Sequence, residues 1–206
     1  MGLKDRPLAF IDVETTGLSC QMHEVIDVAV VFFVEDLKSN APWTRFLRRD
    51  GPFAVWHTKV RPERIEDAEP KALEVNGYSP EEWADAPTVS EIVDTLEALL
   101  TRSGADPIIV GHNVSFDKDF LNATLQRAGR SQQVSYHIVD TVTLCYEHLV
   151  PCGLSSLSLD SVRRFLGIPT EGSHAALKDA LDALTVYTRL VRATPEDRAA
   201  WSKTST

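Results

Sequence analysis

The stretch Leu8-Ala9-Phe10-Ile11-Asp12-Val13-Glu14-Thr15-Thr16-Gly17-Leu18 decides how the rest of the chain is read. Its apolar first half has the content of a buried strand, and Thr-Thr-Gly supplies the turn that ends it. Side chains two positions apart on a strand share a face, so Asp12 and Glu14 point the same way. Carboxylates held that close repel each other, and the usual remedy is a hard divalent cation such as Mg²⁺ or Mn²⁺. A strand closing on two solvated acids satisfies the same pattern, so ligands from elsewhere in the chain must decide between the two.

The strands nearest in sequence extend the picture. Glu24 to Val34 is β-branched and aromatic enough for a second buried strand, and Val55 to Val60, before Arg61-Pro62, reads as a third. Short links favour antiparallel pairing of the first two. The longer link before the third carries Trp43, Arg45, Phe46, Arg48 and Arg49. Such interleaving can stack bases and hold phosphates, but it equally describes a solvated hairpin with an apolar foot on the core. Further on, Pro70 to Pro87 is broken by Pro, Gly and Asp into short turns, and Thr88 with Glu91 forms a capping box for a helix to about Arg102. Pro107 to Val110 is a short buried strand, and Gly111 to Ser115 is a loop into a helix ending near Gly129. Val134 to Val139 reads as a fifth strand, with Asp140 capping a helix through Leu149. An amphipathic helix from Ser155 to Leu166 is expected to expose Arg163 and Arg164, and a last helix runs from Ala175 to Arg192. Nothing after Thr194 reads as folded. Hairpin-linked strands giving way to strand-helix alternation indicate a mixed α/β sheet.

Composition bounds the function. A chain of 206 residues with 43% hydrophobic content suits one domain, residues 1–206, with a short polar tail from about 195. The longest apolar run, Val28 to Val34, is too short to span a bilayer, and three cysteines without ligand spacing fit a reduced cytoplasmic setting. A formal net charge of -9 argues against a broad basic footprint on duplex nucleic acid. Two bound divalent ions would bring about four positive charges to one spot, so local attraction of a phosphate survives that acidity.

Two later segments carry candidate partners for the opening acids. Asp117 stands in the first turn of its helix, near the strand ends where α/β proteins place ligands, with His112, Asn113 and Phe116 around it. An acid there also interacts favourably with the helix dipole. In Gly172-Ser173-His174-Ala175-Ala176-Leu177-Lys178-Asp179, five steps separate His174 from Asp179. Five steps turn through about 140° net on a helix, so His174 must lie in the preceding loop if both serve one site. A loop imidazole that takes a proton beside a helical carboxylate that holds a cation suits that placement, although a lone His before a helix is ordinarily surface.

Asp-x-Glu-Thr-Thr-Gly-Leu at 12 to 18, His-Asn-x-x-Phe-Asp at 112 to 117 and His-x-x-x-x-Asp at 174 to 179 together resemble the DEDDh class of 3′-to-5′ exonucleases, which includes proofreading epsilon-type subunits. The resemblance covers nearly the whole chain and implies a ribonuclease H-like fold, here a five-stranded mixed sheet flanked by helices. It implies Asp12, Glu14, Asp117 and Asp179 as ligands of two divalent ions and His174 as general base. Thr15, Thr16 and Leu18 would contact the terminal nucleotide, with Phe116 stacking and His112 and Asn113 nearby. The implied substrate is a single-stranded or frayed 3′ end, DNA before RNA, yielding nucleoside 5′-monophosphates. RNA-trimming and oligoribonuclease-like enzymes share these motifs, and an inactive binding module would keep the fold. The resemblance leaves a polymerase or repair partner unidentified and implies none in a membrane.

Overall fold

The computed structural model describes residues 2–37, 41–170 and 175–202. In chain order the elements are β1 (Leu8–Thr15), β2 (Val25–Phe33), β3 (Arg48–Asp50), β4 (Phe53–Lys59), α1 (Pro70–Val75), α2 (Pro80–Trp83), α3 (Val89–Leu100), β5 (Ile108–Gly111), α4 (Val114–Arg127), β6 (Ile138–Asp140), α5 (Thr141–Leu149), α6 (Leu159–Leu166), α7 (Ala176–Val191) and α8 (Pro195–Trp201). The strands form one mixed α/β sheet in the order β3-β4-β2-β1-β5-β6. Pairing is antiparallel from β3 through β1 and parallel from β1 through β6.

The sheet therefore has six strands among the described residues, not the five expected. The extra one, β3, is three exposed residues, Arg48, Arg49 and Asp50, paired to the edge of β4. A short charged edge of that kind has no apolar alternation to announce it. The strand expected at 134–139 is confined to Ile138–Asp140. Val134 instead makes an isolated bridge to Thr101, and its N–H donates to Asn122 Oδ1 at 2.8 Å.

Strand alternation sorts β1 between two layers. Ala9, Ile11 and Val13 pack with α3 and α4 residues such as Leu96, Leu99, Leu121 and Leu125. Phe10 faces the other way, onto Ala176, Ala180 and Leu184 of α7, so Asp12 and Glu14 fall on the α7 side. The small alanines let α7 lie close across β1 and β2. A third cluster joins α5, α6 and α7 through Leu149, Val162, Leu166 and Val186.

The caps expected at Thr88 and Asp140 are present: Thr88 N–H donates to Glu91 at 2.8 Å, and Val142 N–H to Asp140 at 2.9 Å. Beyond Thr194, read as unfolded, α8 forms instead. Thr194 and Asp197 cap it reciprocally at 2.9 and 3.2 Å, Pro195 opens it, and half-buried Trp201 seats it on the third cluster. The basic-aromatic stretch proves to be the foot of its loop. Trp43 lies 5.4 Å from Phe32 on the face opposite Asp12 and Glu14, and Arg45 covers Phe46.

Candidate active site

The parallel half of the sheet explains how the acids converge. β5 pairs β1 only along Leu8, Ala9 and Phe10, which leaves the edge of β1 open from Asp12 onward. The first turn of α4 fills that gap, and buried Asp117 accepts a hydrogen bond from Val13 N–H at 2.9 Å. The turn from β5 into α4 is tight: a Cβ on Gly111 would lie 3.0 Å from the Ile11 carbonyl and 2.9 Å from Val114 Cγ2. Asn113 then adopts φ 64, a left-handed conformation that Asn tolerates well. Its N–H donates to Asp140 Oδ1 at 3.0 Å. From the other face α7 delivers Asp179, and carboxylate oxygens of Asp12, Glu14 and Asp179 lie within 4.8 Å of one another.

Three carboxylates within 4.8 Å of one another, with Asp117 near enough to act on Asp12, are costly. Burial raises the Asp12 carboxyl well above the usual carboxylate range, and the charges of Asp117, Glu14, Asp179 and Asp27 push it further. Burial likewise raises Asp117 against the opposing pull of the Val13 N–H, with Glu14 and Asp140 adding to the rise. Glu14 is pushed from 4.5 to about 8 by burial, then by Asp179 and Asp27. Burial and mutual repulsion penalise the charged forms of these groups, which is the condition that a divalent cation with hard oxygen ligands relieves. The donor set fits Mg²⁺ or Mn²⁺ in chemistry and convergence.

Two contributors were not foreseen. Asp27 of β2 lies opposite Glu14, is buried, and pairs with His57 Nε2 of β4 at 2.8 Å. An acid inside the apolar run Val25 to Val34 was the available signal. Arg163, expected on the exposed side of its helix, is instead 1% exposed, because it turns inward to Asp179, to Asp160 at 2.9 Å and to Asp182 at 2.6 Å. Burial alone would lower its pKa, but Asp179, Asp182 and Asp160 together raise it.

The residues expected to meet substrate divide. Leu18 is 76% exposed at the tip of the turn after β1. Buried Thr16 supports that turn by accepting from Glu24 N–H at 2.9 Å, and the Thr15 hydroxyl donates to the Gly17 carbonyl at 2.7 Å. Gly17 lets the turn close there, since a Cβ would come within 2.5 Å of the buried His23 ring. Burial lowers the His112 pKa, so the ring is neutral near pH 7. Nε2–H donates to the Leu157 carbonyl at 2.7 Å, and Nδ1 lies 2.9 Å from the hydroxyl oxygen of Thr141, which itself donates to the Gly111 carbonyl at 3.1 Å. Phe116 is half-buried, 4.7 Å from Phe120. His174 lies outside the described residues.

Comparison with known proteins adds to this geometry. The family model RNase_T, described as Exonuclease, matches residues 9–187. The chain is 24% identical over 180 residues to the DNA polymerase III subunit epsilon of Treponema pallidum, covering 87% of this chain and 74% of that one. It is 29% identical over 194 residues to ribonuclease T of Yersinia enterocolitica, covering 88% and 82% respectively. It also matches PolC-type DNA polymerase III chains, of which it spans only 10 to 12%. Among solved structures, E. coli exonuclease I in complex with a dA16 oligonucleotide superposes with a TM-score of 0.70 at 17% identity, over 95% of this chain and 42% of that one.

Proposed function

Because the chain belongs to the RNase_T exonuclease family and is an exonuclease acting at nucleic-acid 3′ ends, we propose that it hydrolyses single-stranded or frayed DNA ends with the help of two divalent cations. The observation that carries this reading is the convergence of Asp12, Glu14 and Asp179, with Asp117 against the same strand edge. Those four carboxylates would hold Mg²⁺ or Mn²⁺, which when bound supplies positive charge against the phosphate and favours ionisation of water.

The chain's own residues divide the remaining work. Asp12 and Glu14 are held rigidly by the strand, and Asp117 by its hydrogen bond to Val13 N–H, so the ligand set is formed before substrate arrives. His174 takes the proton of the attacking water. The new bond joins that water oxygen to the terminal phosphorus, the bond from phosphorus to the preceding 3′ oxygen breaks, that oxygen takes a proton from solvent to become the new 3′ hydroxyl, and a nucleoside 5′-monophosphate leaves. Exposed Leu18 presses beside the last base while the buried Thr15 and Thr16 hold the turn that presents it. Neutral His112 supports the wall from behind, Asn113 shapes the entry to α4, and Phe116 offers a ring edge.

DNA is favoured by the likeness to a DNA polymerase III epsilon subunit. The likeness to a ribonuclease T supports RNA trimming as the second reading. Among the described residues no helix is long and apolar enough to cross a membrane. The decisive experiment digests matched 5′-labelled DNA and RNA oligonucleotides, single- and double-stranded, with EDTA, Mg²⁺ or Mn²⁺. A ladder from the 3′ end of single-stranded DNA that requires the cation is expected. EDTA-resistant digestion would refute the cation site, and faster loss of RNA would transfer the assignment to the second reading.

A further inference from the structure

Arg163 is the largest fully buried side chain, and it belongs to none of the three motifs. Its Nη2 donates to Asp179 Oδ1, its Nε lies 2.6 Å from Asp182 Oδ2, and its Nη1 donates to Asp160 at 2.9 Å. Asp179 and Asp182 are three apart on α7 and so share a face of the helix, while Arg163 and Asp160 share a face of α6. A guanidinium has its donors in a rigid fork and keeps its charge at any working pH, so it can fix two carboxylates in direction as well as neutralise them. Asp179 thereby meets two demands at once. Its Oδ1 accepts from Arg163, and its carboxylate stays within 4.8 Å of Asp12 and Glu14.

We propose that Arg163 is the positioning residue of this site, setting the rotamer of Asp179 toward Asp12 and Glu14 through its hydrogen bond to Asp179, with Asp182 held against the same guanidinium as an ion pair. The inference rests on the reading of Asp179 as a cation ligand. Two effects of removing Arg163 oppose each other. Loss of a positive charge favours cation binding, whereas loss of orientation weakens it. Asp160 and Asp182 already answer much of the Arg163 field, with Lys178 paired to Asp182 in turn. Orientation therefore outweighs charge. Losing the hydrogen bond that orients a ligand costs about 10- to 100-fold in metal affinity.

The test is calorimetric titration of Mn²⁺ into metal-free parent, Arg163→Gln, Arg163→Lys and Asp179→Asn, with circular dichroism confirming each fold. Arg163→Gln should weaken Mn²⁺ binding by about 10- to 100-fold although it removes a positive charge. Arg163→Lys, which keeps the charge but not the fork, should fall between that variant and the parent. Raising Mn²⁺ should recover turnover in both, with KM for a single-stranded oligonucleotide unchanged. Parental or tighter Mn²⁺ binding by Arg163→Gln overturns the positioning role. Should that variant fail to fold, parental affinity in Arg163→Lys overturns it instead. Asp179→Asn separates the two layers of argument: if it loses Mn²⁺ while Arg163→Gln does not, only the positioning role fails, whereas parental binding by Asp179→Asn sinks the ligand assignment beneath it.

Discussion

Glu14→Gln should make the metal-free protein more stable, and the gain should depend on pH in a defined direction. In the folded chain Glu14 is raised from 4.5 to about 8 by burial, Asp179 and Asp27. A carboxyl raised on folding keeps its proton in the native state after the unfolded state has lost it, so the native state binds more protons between those values. Stability then falls as pH rises, by about 1.4 kcal/mol per pH unit. The penalty is absent below pH 4.5, reaches about 3 kcal/mol at pH 7, and is complete at about 5 kcal/mol above pH 8. Glutamine keeps the shape and cannot ionise. In EDTA at pH 7 the variant should therefore melt about 6–12 °C above the parent, the response expected for a chain of this size. The measurement is thermal unfolding by circular dichroism at half-unit steps from pH 4.5 to 8.5. The two melting curves should converge near pH 4.5 and separate steadily above it. With saturating Mn²⁺ the order should reverse, since a cation bound only by the native parent stabilises it by mass action. Equal melting temperatures at pH 8 in EDTA, or a gap that does not change with pH, would refute the electrostatic account of the site.

Other expectations follow from the same geometry. Asp117→Asn keeps an oxygen for Val13 N–H but removes the charge, so it should fold normally and lose about 10³-fold in turnover, measured on a 5′-labelled single strand. His174→Ala should lose about 10²-fold or more in turnover while calorimetry shows Mn²⁺ binding intact; loss of Mn²⁺ binding in the variant would mark a ligand instead. A 3′-phosphate should block digestion, and cuts within a circular single strand would exclude the end-directed reading. Gly17→Ala drives a Cβ to within 2.5 Å of the buried His23 ring and should cost about 1–3 kcal/mol in urea unfolding; a change within a few tenths would show that the turn yields freely.

The legible parts of the molecule were those where one periodicity controls both position and chemistry. Alternation along residues 8–14 placed Asp12 and Glu14 on one face, and the structure puts that face under α7. Asp117 and Asp179 could be named because His-Asn-x-x-Phe-Asp and His-x-x-x-x-Asp resemble the DEDDh motifs, and the structure places each acid in the first turn of a helix. What escaped depends on partners that no periodicity records. β3 exists only because the edge of β4 lies beside Arg48, Arg49 and Asp50. Arg163 is buried because α7 brings two carboxylates to a helix whose own pattern places that position among its polar residues. The signals for α8, a Thr-Pro-Glu-Asp cap and a distant Trp201, were present but too short to outweigh the polar text around them.

The acidic centre is stitched from distant parts of the chain: Asp12 and Glu14 leave the ribosome early, and Asp179 belongs to a helix made far later. At about 5–20 residues per second, the interval between Glu14 and Asp179 lasts roughly 8–33 s. Throughout it Phe10, Ala29 and Val31 lack the α7 surface that covers them, and the three-carboxylate cluster of Asp12, Glu14 and Asp179 is incomplete. The docking of α7 thus completes the carboxylate cluster in the same event that seals the second hydrophobic layer.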